Sequence, residues 1–134
     1  LLNRHPQLIV KGPEDALSLV EIDALATLLH SFYTGLENVF TRIAKDLDNR
    51  PPTGEAWHSR LLDQMASSDS ARGPVISQEL RMPLSELLRF RHRFRHSYAS
   101  ELTWSRMAPL VASLPAVFER FEKEVRAFLD REGL

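Results

Sequence analysis

Apolar side chains recur every three to four residues through most of the chain, and no window of four to eight residues alternates cleanly between apolar and polar as a half-buried strand would. The pattern predicts an all-α fold. Pro13 followed by Glu14 and Asp15 marks a helix start, since proline suits a first turn and carboxylates favour the positive end of a helix. Leu17, Val20, Leu25, Leu28, Leu29, Phe32, Leu36, Val39, Phe40, Ile43 and Leu47 then keep the helical period, so one long amphipathic helix is expected to end near Asn49, ahead of Pro51-Pro52. Gly35 within it reads equally as a close helix crossing or as a tolerated glycine.

A shorter helix is expected after Thr53 as N-cap, with Trp57, Leu61, Leu62 and Met65 on one face. The segment from Ser67 to Pro74 is small, polar and closed by Gly-Pro, which predicts a loop suited to mobility near a site. A third helix is expected from about Pro83, carrying Leu84, Leu87, Leu88 and Phe94. The last follows Thr103, with Trp104, Met107, Leu110, Val111, Leu114, Val117, Phe118, Phe121, Val125, Phe128 and Leu129 as its buried stripe and Gly133 as its stop. Pro109 falls near its first turn, whereas Pro115 is expected to remove an internal hydrogen bond and kink it. These elements make a bundle of about four to five helices with short connections.

Length and composition suit one domain: 134 residues, 43% hydrophobic and 26% charged. Residues 1–12 are expected to be an N-terminal remnant or linker and 13–134 the helical domain. The absence of cysteine excludes disulfides, a thiol nucleophile and thiolate metal sites. No apolar run approaches the roughly 20 residues of a membrane-spanning helix, so a cytoplasmic protein is expected. The net charge of -1 is unevenly spread: residues 81–106 hold six arginines (81, 89, 91, 93, 95 and 106) against Glu86 and Glu101, while the rest has 11 basic and 16 acidic residues. A basic face suits a polyanion or an acidic protein.

On a wheel with Leu84 at zero, the apolar stripe of the third helix runs from roughly 300° to 40°; Arg91 falls at about 340° and Arg95 at about 20°. Both guanidinium groups project from the apolar face. A buried arginine loses several kcal/mol of hydration that an anion or well-placed carbonyls must replace. The bland solution is an internal ion pair, with Glu37 or Asp63 as partner, or a side chain that snorkels to the surface. The functional one is a cleft or subunit interface where the arginines meet phosphate. His92 and His96, four apart, lie at about 80° and 120°, with Arg89 beside them at about 140°. Such a pair binds zinc in metalloproteases with a glutamate between, but here Arg93, Phe94 and Arg95 intervene and the two arginines would repel a cation, so neither metal nor cofactor is expected. Histidine and arginine suffice for metal-free RNA cleavage, the one moving a proton at the 2′-hydroxyl or the leaving oxygen, the other neutralising charge on the phosphate.

The run Arg91-His92-Arg93-Phe94-Arg95-His96-Ser97-Tyr98 resembles the motif of HEPN ribonucleases, an arginine and a histidine separated by four to six residues, in the His-x-Tyr version of HepT toxins. His92 stands where that family usually has asparagine. The resemblance covers roughly residues 13–132, with only the motif specific. It implies a metal-independent endoribonuclease toxin of a type VII-like toxin–antitoxin pair, cutting cellular RNA to leave a cyclic phosphate. It further implies a homodimer with two motifs at one cleft, and a nucleotidyltransferase antitoxin able to attach AMP to the motif tyrosine. Carried over, Arg91 and His96 are catalytic, His92, Arg95, Arg89 and Arg93 support RNA binding, and Tyr98 is the modified residue. The alternative is a HEPN domain without catalysis that binds a nucleotidyltransferase or nucleic acid. One geometric difficulty stands: five residues of unbroken helix splay Arg91 and His96 by about 140°, so the helix must end or distort near residues 94–97, or the pair must come from two subunits.

Overall fold

The computed structural model describes residues 18–68, 72–96 and 104–134, with backbone alone at Leu19 and at 93–96. Four helices order the described residues: α1 (Leu19–Asp46), α2 (Trp57–Met65), α3 (Gln78–His96) and α4 (Trp104–Arg131). Among the described residues the ordered elements are all helical, as the hydrophobic periodicity predicts. The expected boundary at 12/13 and the helix start at Pro13 lie outside the described residues.

α1 begins with a reciprocal cap. The Ser18 hydroxyl accepts the backbone N–H of Glu21 at 3.2 Å, and the Glu21 carboxylate accepts the backbone N–H of Ser18 at 3.2 Å. Two first-turn donors are thereby satisfied. The helix ends as predicted, since Asn49 adopts φ 53°, a left-handed conformation asparagine tolerates, and turns the chain toward Pro51-Pro52. α1 packs against α2, α3 and α4, and Leu25, Leu29, Phe40 and Ala44 on it are essentially inaccessible. Val20, Val39 and Leu47, assigned to this stripe by period, are exposed instead, because the buried arc is narrower than the full apolar set. Gly35 is also exposed, and a Cβ there would meet nothing within 4 Å, which removes the close-crossing explanation.

Thr53 is not the cap of α2. Gly54 takes φ 93°, the chain makes one further turn, and the helix opens after Ala56 without a side-chain cap. Beyond α2 the chain is pinned rather than loose at residues 72–76. Arg72 is buried, and the backbone N–H groups of Val75 and Ile76 reach the Met65 carbonyl at 2.8 and 3.2 Å, satisfying the end of α2. α3 starts five residues before Pro83. The Ser77 hydroxyl accepts the Leu80 N–H at 3.1 Å and the Ser77 carbonyl accepts the Arg81 N–H at 3.0 Å, so a capped turn is complete before the proline is reached. α4 runs through Pro109 and Pro115, both exposed, and closes at Gly133 (φ 75°) with Gly133 N–H to Asp130 O and Leu134 N–H to Leu129 O. That pair of bonds is the glycine stop expected from sequence. Phe118, expected inside, is 42% exposed and meets Phe32 edge-on at its flank.

Candidate functional site

On α1, Glu37 stands four residues after Tyr33 and three after Thr34, so each of these two neighbours it on the helix surface. On α3, Leu80, Leu84, Leu87 and Arg91 form one stripe, whose first three members are buried apolar side chains. Where these faces meet, the stripe of α3 ends in a charge, and Arg91 is 4% exposed as the wheel predicts. The bland solution to that burial is the one the chain adopts. Arg91 Nη1 lies 3.0 Å from Glu37 Oε1 and Nη2 donates to Oε2 at 3.1 Å, a two-pronged pair. Thr34 Oγ1 accepts from Nη1 at 3.2 Å, and Nη2 stands 2.7 Å from Nδ1 of His58. Each terminal nitrogen thus has two partners. The guanidinium also lies over the Tyr33 ring, 4.9 Å from its centroid. Burial, reinforced by the charge of Glu37 against the opposing pull of Arg91, holds the Tyr33 phenol well above its ordinary range.

His58 enters from α2, with its ring stacked on Trp57 at 3.7 Å between centroids and its Nδ1 2.8 Å from Glu37 Oε2. Sequence reasoning does not find it, because its partners lie 21 and 33 residues away and no period marks it. Asp63, the other partner considered for Arg91, is taken by Arg81 at 2.6 Å on the surface. Two of the six clustered arginines are thus neutralised within the fold. Arg89 and His92 are exposed on α3. The side chains of Arg93, Arg95 and His96, and the whole of Tyr98, lie outside the described residues. The α3 backbone stays helical through His96, so it contains no break between Arg91 and His96 that would bring them to one side.

A second buried arginine also escapes sequence reasoning. Arg72 donates to both Asp48 oxygens at 2.7 and 2.8 Å and to the carbonyls of Gln64, Ser67 and Gly73. The available signal was its place before Gly-Pro in a loop otherwise too polar to bury anything. Among the described residues, no group of three or more His, Cys, Asp or Glu is placed to hold a metal ion, and no helix is long and apolar enough to cross a membrane.

Compared with known proteins, the chain matches a family model described as HepT-like protein over residues 24–132, a span that holds all the core helices apart from the first turns of α1. No curated protein and no solved structure shows significant similarity.

Proposed function

The chain belongs to the HepT-like family, and from that membership we propose that it is a metal-independent endoribonuclease toxin whose catalytic pair is Arg91 and His96. The observation that carries the proposal is the Arg91 to His96-Ser97-Tyr98 motif of the sequence, whose Arg91 and His96 stand in the last turns of α3 in a chain that matches the family. In this reading His96 moves the proton at the RNA ribose, Arg91 stabilises charge on the phosphate, and Arg89, His92, Arg93 and Arg95 guide the strand. Because α3 is helical across the interval, the arginine and histidine that act together come from two subunits of a homodimer. A nucleotidyltransferase encoded alongside would silence the toxin by attaching AMP to Tyr98.

The test is incubation of the purified chain with cellular RNA in excess chelator. Cleavage leaving cyclic phosphate ends, reduced by about 10²–10⁴-fold in His96→Ala, is expected. Intact RNA together with undiminished toxicity of His96→Ala would remove the proposal. A second reading, a non-catalytic domain that binds a nucleotidyltransferase, is favoured by one observation: the Arg91 side chain is 5% exposed and its terminal nitrogens are occupied by Thr34, Glu37 and His58. That reading predicts a stable complex with the transferase and no RNA turnover.

A further inference from the structure

Between the end of α1 and the start of α2 the chain passes through two left-handed residues, Asn49 (φ 53°) and Gly54 (φ 93°). The segment they bracket, residues 50–53, is anchored at both ends. The Arg50 N–H reaches the Ala44 carbonyl at 3.0 Å, and the Thr53 carbonyl accepts from Arg60 Nη1 at 3.2 Å. Pro51 and Pro52 between them have a fixed φ and no N–H to satisfy. The segment is therefore a preformed wall, and two cavities share it.

One cavity, of about 310 Å³, is apolar: besides the two prolines it is lined by Ala44, Leu61 and the half-buried indole of Trp57. The other, of about 480 Å³, is polar and holds Arg50, Arg60, Arg72 and Asp63. Both volumes fall in the range of small-ligand sites, about 300–1,000 Å³. Two of the four charges are answered within the fold, Arg72 by Asp48 and Asp63 by Arg81. Arg60 differs from them. It is exposed, and among the described residues its guanidinium is bonded to the Thr53 carbonyl and to no carboxylate. That bond holds the head group at the wall, and its planar fork suits a phosphate.

An apolar cavity with an aromatic side chain, joined by a rigid wall to a cationic one, matches the two halves of a nucleotide. The base has a flat face that stacks on an aromatic ring, and the phosphate pairs with a guanidinium. The site also borders the motif, since Trp57 stacks on His58 at 3.7 Å between ring centroids and His58 Nδ1 lies 2.7 Å from Arg91 Nη2. Arg50, Pro51, Thr53 and Arg60 are all exposed, so the site is a surface groove and not an enclosed chamber. A groove of that kind suits a strand that continues past it.

We propose that the two cavities form a subsite for one nucleotide of a single-stranded RNA, with its base against Trp57 and its phosphate on Arg60. That the strand is a substrate rests on the ribonuclease reading, whereas the capture of a nucleotide unit by this groove does not.

The probes are a short 2′-O-methylated oligonucleotide, which cannot be cut, an abasic strand of the same length, and a nucleoside monophosphate. Tryptophan fluorescence of the full chain is followed as each is added. Trp104 is buried, so quenching by the oligonucleotide and not by the abasic strand is expected, and it reports on Trp57. Saturated binding without quenching, or no binding at low salt, overturns the proposal. Trp57→Leu is expected to weaken binding about 5- to 150-fold, the worth of one stacked base. Arg60→Gln is expected to weaken it about three- to tenfold, the worth of an exposed charge-assisted hydrogen bond. Arg126→Gln removes an exposed charge on α4 that lines neither cavity, and a loss there equal to that of Arg60→Gln would mean attraction by total charge and overturn the proposal. A monophosphate that binds as tightly as the oligonucleotide overturns the assignment to RNA in favour of a free nucleotide. Cleavage of unmodified RNA without quenching, and with affinity unchanged in both groove variants, removes this inference alone. Quenched, Trp57-dependent binding of an RNA that is never cut leaves the subsite standing while the ribonuclease reading fails. Trp57 packs against the core, so a thermal melt verifies Trp57→Leu, and the wild-type quenching decides the matter without it.

Discussion

Both charged atoms of the Asp48 carboxylate are held by Arg72, with Gln64 adding a bond at 2.7 Å. The Arg72 hydrogen bonds, opposed by burial and helped by Gln64, keep the Asp48 carboxyl below the usual range. Its folded value thus lies under the unfolded one, so the stabilisation is complete above the unfolded range, about pH 4, and is lost as pH falls through the folded value. Urea midpoints measured from pH 6 down to pH 2 are expected to fall steeply for wild type. Asp48→Asn should be less stable at pH 6 by about 3–5 kcal/mol, the cost of leaving a buried guanidinium without its anion, and should show a flatter acid limb. At this scale the chain is legible where one helix suffices. Arg91 stands out because its position within α3 alone places a cation on an apolar face. His58 and Arg72 do not, because what buries them arrives from other helices.

Ser77 organises the start of α3 through two exchanges. Its hydroxyl accepts from Leu80, and its own N–H and O–H donate to Glu124 of α4 at 2.7 and 2.8 Å. Burial would raise the Glu124 carboxyl, but Arg120 and Ser77 hold it below the usual range. Ser77→Ala removes the cap and the tie to α4 together. An unfolding free energy lower by about 1–2 kcal/mol is expected by chemical denaturation, with Ser77→Thr restoring most of it. The number of helices and their apolar faces were legible because period is a property of each segment. Their starts were less so. Pro83 and Thr53 are credible start signals, yet Ser77 nucleates α3 earlier, and Gly54 delays α2. Such outcomes depend on partners such as Glu124, which lies 47 residues from Ser77.

Counted along the chain, residues 81–106 look like a strongly basic face, but Arg81 is paired with Asp63 and Arg91 with Glu37. With those two pairs closed, at most four arginines of this stretch are left to meet a polyanion. For single-stranded RNA each neutralised phosphate contributes about -0.7 to the slope of log affinity against log salt, so this stretch should account for a slope per chain no steeper than about -3. A titration across salt concentrations in Arg60→Gln, which lacks the phosphate contact of the α2 groove, checks this, and a slope near that of six contacts would mean that the internal pairs open on binding. Charge distribution is legible in sequence only as a total; which charges remain available is decided by the fold. A last consequence follows from α1 resting on all three other described helices. The middle turns of α1 are therefore the most widely braced part of the described bundle, and their amide hydrogens are expected to be among the slowest to exchange with solvent, so their rate serves as a clock for the largest openings of the fold.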